Sequence, residues 1–466
     1  MKNNFSIESV IAANRFGLGA RGAELSKINP APKIWLLDQL QGPSRVPSVI
    51  ASLPDSADVL VKIDELRQQR KQIKKNNPEK AADNKNYGKT VRRYYMQQIS
   101  ARYISAATSD YPFHERLVHF WSNHFAVSAD KQPLPGLVGL FEKEAIRANM
   151  SGKFSDLLLA AEQHPAMLTY LDNQRSIGPN SPAAKRAGRR KPDREFGLNE
   201  NLAREILELH TLGVDGGYSQ ENVTDFARAL TGWSIGSSRG RLRGGTPGKF
   251  YFRNEIHEPG SVKVLNKRYS QQGVGQAEAI LRDLAGHPAT ARHIAEKLAR
   301  HFVADEPPAR LVDSLTKTFL ESGGDLPSLH AALVNAESAW AQTFSKYKTP
   351  EDFVISTFRA LNHTPNDSRA VFKALEMMGQ PTYRPGSPAG WPDTAAQWGG
   401  ADGLYKRIEW ATAVAAKVGQ QMNPLVLGDA ALGPALGDHS RTAISRAESL
   451  RQGLVLLLVS PEFQRR

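Results

Sequence analysis

The sequence predicts a mostly α-helical protein: a large multi-helix assembly of orthogonal or bundle-like packing, with one small β-hairpin or extended insertion around 234–267. Three observations predict it. Apolar residues recur at helical spacing along most of the chain. Proline, glycine and asparagine collect at the joints between those runs, as in Ser109-Asp110-Tyr111-Pro112. Only between Ser234 and Lys267 does the pattern change to glycine, aromatics and alternation, as in Lys249-Phe250-Tyr251-Phe252.

The elements follow in order. Residues 6–15 open as a short helix running into Phe16-Gly17-Leu18-Gly19-Ala20. Helices at 32–41 and 57–75 come next, the second trailing into a basic linker. Then come 91–107, 112–126 and 136–149, and a pair at 154–163 and 165–171 broken at His164-Pro165, because proline disfavours helix in the residue before it. A Gly/Pro/basic loop at 177–197 precedes a helix at 199–211, and 222–232 closes at Thr231-Gly232-Trp233. After the insertion, helices return at 276–284, 289–302, 309–322, 326–335 and 350–361. The tail adds 370–378, a Pro/Gly-rich loop at 381–393, and helices at 403–417 and 439–459. These group as an N-terminal helical segment (1–60), a basic helix and linker (61–95), a central helical domain (96–233), the insertion (234–275) and a C-terminal helical domain (276–466).

Composition narrows the function classes. The absence of cysteine excludes disulfides, thiol catalysis and Cys-ligated zinc or iron–sulfur centres, so any metal would need His, Asp, Glu and water. No apolar run is long enough to span a bilayer, and Met1 to Glu8 lacks the apolar core of a signal peptide. The expectation for the sequence as written is a cytoplasmic protein, unless a leader was trimmed before this numbering or a partner carries it out. The net charge of +13 is confined to two windows. Residues 67–93 hold ten Lys/Arg against Glu79 and Asp83, a balance of +8, and 185–194 hold six against Asp193, a balance of +5. Both read as exposed connections. Such charge can bind nucleic acid, but no RNP-like pattern or zinc finger accompanies it. Nucleic acid is therefore the weaker expectation.

One segment concentrates chemistry. At about 100° per residue, the 199–211 helix divides into a polar arc of Glu200, Asn201, Arg204, Glu205, Glu208 and Thr211 and an apolar arc of Leu202, Ala203, Ile206, Leu207 and Leu209. His210 falls inside the apolar arc, and Asn199 serves as the N-cap. Two other helices break their patterns the same way. His124 lies among Leu117, Val118, Phe120, Trp121 and Phe125, while His119 and Asn123 share the polar side. Glu144 projects between Leu137 and Leu140, with Arg147 one turn later as its simplest partner. A buried imidazole or carboxylate must find a partner. His124, His210 and Glu144 together form the ligand set of a mononuclear site, so a divalent metal (Fe, Zn or Mn) is one expectation. No HExxH or ExxH spacing supports it locally, and hydrogen-bonded core histidines explain the same residues.

Several motifs together resemble a family. They are Asn14-Arg15-Phe16-Gly17-Leu18-Gly19, Phe120-Trp121-Ser122-Asn123-His124-Phe125, His164-Pro165-Ala166-Met167-Leu168, Tyr170-Leu171-Asp172-Asn173 and Asn199-Glu200-Asn201-Leu202-Ala203-Arg204-Glu205. His210-Thr211-Leu212-Gly213-Val214, Ala229-Leu230-Thr231-Gly232-Trp233, His287-Pro288-Ala289-Thr290-Ala291 and Gly390-Trp391-Pro392-Asp393 complete the set. In this order they resemble the bacterial family known as domain of unknown function 1800. The resemblance implies a largely helical protein, no established activity, and frequent encoding beside a sulfatase-like or alkaline-phosphatase-like protein, which suggests a functional partner. Many relatives are exported.

The motifs gather on polar helix positions. That favours a cleft in which Asp172, Glu200, Glu205 and Arg204 carry acid–base chemistry, with the 177–197 loop as a lid. Asn123, Asn173, Asn199, Trp121 and Trp233 are the substrate-binding candidates, the tryptophans by stacking. Salt bridges to Arg147, Arg204 and Arg228 would account for the same carboxylates. Two function classes stay open. One is an enzyme, a hydrolase or modifying oxygenase acting on a polymer or protein; the other is a scaffold or maturation factor for the sulfatase-like partner.

Overall fold

The computed structural model describes residues 5–41, 46–76, 86–188, 197–239, 243–418 and 421–466. Helices dominate, as the periodicity predicts. The 234–275 region resolves into two small antiparallel hairpins. Trp233–Ile235 pairs with Phe250–Phe252, Trp233 opposite Phe252. Val262–Val264 pairs with Lys267–Tyr269 across Leu265 and Asn266, both at positive φ, the tight turn that suits a two-residue hairpin. One apolar cluster runs from Val10 to Phe463 and unites both ends of the chain. Among the described residues no helix is long and apolar enough to cross a membrane.

Local chemistry sets the helix starts. Thr349 caps Pro350–Ala360 and Ser219 forms a capping box with Asn222, each satisfying backbone N–H groups that the first turn leaves unpaired. The two His-Pro-Ala motifs have the same explanation. His164 and His287 sit at N-cap positions and each Nδ1 accepts from the alanine N–H two residues on, at 3.1 Å. Proline follows at the first helical position, where its missing N–H is no loss. These histidines shape helix ends.

Several boundaries differ from the sequence reading. The 91–107 helix extends to Asn86–Thr108, because Tyr87 packs on the core and its hydroxyl receives Arg67 Nε at 3.3 Å. The 439–459 segment breaks into Asp438–Ser445 and Leu450–Val459, with Ser449 capping the second, and Pro424–Leu432 is an additional helix. Among the described residues three helices contain a π-helical turn, at Ala12–Phe16, Glu142–Arg147 and Ile206–His210. Such a turn widens the helix by one residue and rotates everything beyond it. Thr211, on the polar arc of an ideal wheel, is consequently fully buried, its Oγ1 donating to Ile206 O at 2.6 Å.

Two helices flank the site described next. Pro112–His124 and Pro288–Phe302 lie side by side with opposite chain directions: Phe120 meets His301 at 5.3 Å between ring centroids, and His124 meets His293 at 6.2 Å. His119, Asn123 and His301 line one cavity, while His124 packs into the core against the rings of His210 and the half-buried His293.

Candidate active site

A cavity of about 80 Å³ lies among Arg102, Arg116, His119, Asn123, His301, Glu351, Asp352, Tyr383, Trp391 and Asp393. Since roughly 10–15 Å³ holds one water, it accommodates several waters or one small polar group.

The Gly390-Trp391-Pro392-Asp393 loop builds one wall. Asn123 clamps it reciprocally: Nδ2 donates to Trp391 O at 2.9 Å and Oδ1 accepts from Trp391 N at 2.7 Å. Gly390, at φ +83°, comes so near that a Cβ would lie 2.4 Å from Asn123 O, so only glycine fits. The clamp delivers Asp393 to His301, whose Nδ1 lies 2.5 Å from Asp393 Oδ2. Lys346 fixes the loop from behind, donating to the Asp393 carbonyl and pairing with Asp305 at 2.6 Å. Asp305 in turn accepts from Ala395 N at 2.7 Å.

Buried ion pairs form the remaining walls. Arg116 Nη1 reaches Asp352 Oδ1 at 3.2 Å, and Arg466 Nε reaches Asp352 Oδ2 at 3.0 Å. Arg102 bridges Glu142 and Glu351, the latter at 3.0 Å, and Tyr103 OH also donates to Glu351 at 2.8 Å. Burial works against ionised Glu351, but Arg102 prevails and holds its pKa at about 2. Asp352 is held far below the ordinary range against its burial by Arg116 and Arg466. Asp393 is likewise lowered, chiefly by His301, although burial opposes it. These groups remain ionised at any physiological pH.

The histidines behave differently. Burial, then the nearby Arg102 charge, pushes His119 down to about 3. Burial also lowers His301, with Asp393 pulling the other way. His301 is therefore neutral near pH 7. With Asp393 accepting the Nδ1 proton, Nε2 carries the lone pair, and among the described residues Nε2 has no hydrogen-bond partner. Tyr383 completes the cavity in a left-handed conformation (φ 56°), a strained state for a tyrosine, with its ring over Arg102 at 5.1 Å.

The residues singled out from the sequence do not form one cleft. Of the candidate catalytic, binding and metal residues Asn123 lines this cavity, joined by His119 from the same helix side and by Trp391 and Asp393 of the Gly390–Asp393 motif. Trp121 and Trp233 are fully buried, Trp121 Nε1 donating to His330 Nε2 at 3.3 Å and Trp233 packing edge-on against Phe250, so neither can stack on a substrate. Asn173 Nδ2 donates to Leu230 O and Trp233 O at 3.1 and 3.2 Å, a joint between segments. Asn199 Nδ2 donates to Leu171 O at 3.0 Å, bringing the motifs on either side of the basic loop together as expected. Asp172, also in the left-handed region, pairs with Lys131 at 2.5 Å and Arg175 at 3.5 Å. Glu200 accepts from Thr224, Gln220 and Arg204 at 2.7, 2.8 and 3.3 Å on the protein surface. Arg204 is occupied there as well, its Nη2 donating to Gln220 at 2.8 Å. Glu205 is half-buried and its pKa is raised, chiefly by burial. Residues 178–188 are not a free lid: Gly178 N donates to Ile256 O, and Asn180 binds Glu258 through both its N and its Nδ2. The remaining 189–196 stretch lies outside the described residues.

The expected metal set separates. His124 and His210 do meet, His124 Nε2 lying 3.2 Å from His210 O with ring centroids 6.1 Å apart. Glu144 is elsewhere, held by Ser56 N and Oγ at 2.7 and 2.6 Å and by His164 Nε2 at 3.1 Å. Arg147 does not serve Glu144 either. It forms a bidentate pair with Glu115 at 2.7 and 2.9 Å, because the π-turn shifts their relative facing. The carboxylate beside His210 is Glu162, fully buried, with its Oε1 2.8 Å from Nδ1. Among the described residues no three His, Asp or Glu side chains converge as a metal ion would require.

The comparisons agree with the motifs. Residues 11–465 match the family model described as "Protein of unknown function (DUF1800)". The chain belongs to the DUF1800 family. No curated protein matches it, and no solved structure does. In this DUF1800 chain, the sequence reading overlooked His301, Asp393, Arg102, Arg116, Glu351 and Asp352. Two signals point to them. Gly390-Trp391-Pro392-Asp393 is a motif whose glycine and aspartate have no helical role. His293, Lys297 and His301 repeat every fourth residue along one face of the helix that begins at Pro288.

Proposed function

We propose that this DUF1800 protein is an enzyme in which His301 acts as general base on a substrate whose polar end enters the cavity. The observation that carries this reading is the pairing of His301 Nδ1 with Asp393 while its buried Nε2, without a partner, belongs to a cavity-lining ring. A carboxylate that fixes one imidazole nitrogen leaves the other as the proton acceptor and stabilises the imidazolium once it forms. Nε2 would take the proton of a water or substrate hydroxyl and return it to the leaving group. Hydrolysis of a small polar linkage is the reaction class that fits best. Arg102 and Arg116 already hold carboxylates, so they orient the wall and leave the substrate to hydrogen-bond with Asn123, Tyr383 and His119. Metal-centred oxygenase chemistry has less support, because the described residues offer no ligand set.

The test is turnover of an ester, phosphoester and glycoside panel by the intact protein. For any substrate turned over, His301→Gln should lower kcat about 10²–10⁴-fold with little change in KM, and Asp393→Asn should cost nearly as much. Full activity in His301→Gln would refute the assignment. A second reading, a scaffold for a sulfatase-like partner, is favoured by Leu404, Tyr405 and Ile408, which are exposed on one helix. That reading expects co-purification with the neighbouring protein that survives His301→Gln and is lost in Tyr405→Asp/Ile408→Asp.

A further inference from the structure

The described parts of the first basic window are helical: the end of one helix, Ser56–Asn76, and the start of another, Asn86–Thr108, which pack against each other. Arg67, Arg70, Lys71 and Lys74 fall at the i, i+3, i+4, i+7 positions of the first helix, and Lys75 adjoins them. That spacing gives a cationic stripe about 10 Å long. Lys89, Arg92 and Arg93 repeat the i, i+3, i+4 pattern on the second helix. Arg67 stacks over the Tyr87 ring at 5.6 Å and donates to its hydroxyl, so the two stripes begin beside one another. All of these cations except Arg67 are exposed. The acidic neighbour nearest the stripe is Asp64, one turn before Arg67 at its near end, while Glu65 lies on the opposite side of the helix and is held by Lys62 at 3.1 Å.

What lies between the cations identifies the partner. The intervening side chains on the first helix are Gln68, Gln69, Gln72 and Ile73, and the helix ends on Asn76. Among the described residues of this window no large apolar side chain is exposed. A protein partner would require an apolar centre in the contact, and lasting attachment to a bilayer would require an apolar face or an acyl chain besides the cations. A phosphate backbone requires only cations, with Gln and Asn as added donors. We propose that this helix pair docks on the phosphate backbone of nucleic acid without reading its sequence. The surface is independent of the His301 site, so either can fail without the other.

The test is fluorescence anisotropy of the intact protein with a labelled mixed-sequence DNA duplex, at roughly 50 and 200 mM salt. With about five phosphates neutralised, affinity should fall about 500-fold across that range. Lys71→Gln/Lys74→Gln/Lys75→Gln should reduce the slope of log affinity against log salt by about 2.7, and Arg92→Gln/Arg93→Gln by about 1.8. Both variants change exposed side chains, and unchanged circular dichroism would show that the fold survives. A duplex of shuffled sequence should bind equally well. Absence of binding at the lower salt overturns the proposal. So does an unchanged slope in both variants, or tighter binding to phosphatidylserine vesicles than to the duplex.

Discussion

The cavity around His301 and the sealed cluster around His210 both adjoin the 112–124 and 288–302 helices, yet they treat polar groups in opposite ways. In the cavity every carboxylate has a cationic partner: Asp352 has Arg116 and Arg466, Glu351 has Arg102, and Asp393 has Lys346 and Arg466. The group left open is a neutral nitrogen, His301 Nε2. In the sealed cluster Glu162 has only His210 among the described residues, and His124 Nδ1 and His210 Nε2 lack hydrogen-bond partners. Compensated charge around one open acceptor is what general-base chemistry needs. Uncompensated groups in a dry core contribute little and are costly to disturb. A histidine on the apolar face of a helix is therefore a weaker sign of function than one held by a carboxylate at a cavity wall.

Acid should break both regions, the histidine core first. His119 and His330 are pushed down to about 3 and His293 to about 4, and His124 lies well below its ordinary value, each chiefly by burial. In the unfolded chain these rings take a proton near pH 6.5, whereas in the folded protein they stay neutral. The unfolded state thus binds more protons as pH falls, and stability is lost from about pH 6.5 downward. Each ring contributes up to about 1.4 kcal/mol per pH unit, so the sum is several kcal/mol between pH 7 and 5. Glu351, Asp352 and Glu115 have depressed pKa values and add their loss only below about pH 4. Urea denaturation at pH 7, 6 and 5 measures this. A midpoint that does not move over that range would contradict neutral buried histidines.

Arg102→Met should be the most damaging single change at the cavity. It leaves Glu142 and Glu351 facing each other without their shared cation, at a cost of about 3–5 kcal/mol. His210→Leu should follow at about 2–3 kcal/mol, because Glu162 is then buried without a partner. The double change His210→Leu/Glu162→Leu should recover part of that loss, since removing both partners is far cheaper than removing one. Thermal denaturation of the three proteins tests both statements.

Much of the fold was legible, and less of the site. Periodicity located most helices, and the Pro and Gly joints located their ends, because both depend on local chemistry. His124 and His210 were recognised as buried and do meet. Glu144 was read as buried and is partly so, but its partners Ser56 and His164 come from distant segments that no wheel reveals. The π-turns at Glu142–Arg147 and Ile206–His210 then defeat the angular argument, since 100° per residue fails across them. The carboxylates Glu200 and Asp172 stand out through motif density, but Glu200 is held by Thr224, Gln220 and Arg204 and Asp172 is paired with Lys131 and Arg175, both away from the cavity. His301 was passed over because its significance depends on Asp393, which is 92 residues away and delivered by a glycine-dependent loop.

The smallest expected stability change is the one that separates the two regions best. His301→Gln removes the nearest partner of Asp393 but leaves Lys346 and Arg466, whose charges also favour the ionised carboxylate. The cost should be at most about 1 kcal/mol, the net value of one ordinary hydrogen bond. His210→Gln, a chemically identical change on the other side of the same helix pair, removes the only described partner of Glu162 and should cost more than twice as much. If the cavity is an active site, its histidine is held for chemistry and adds little to stability, whereas the sealed histidine is structural. Urea midpoints for the two variants at pH 7 decide it. Equal destabilisation would mean that His301 is as structural as His210, and the base assignment would lose its physical ground.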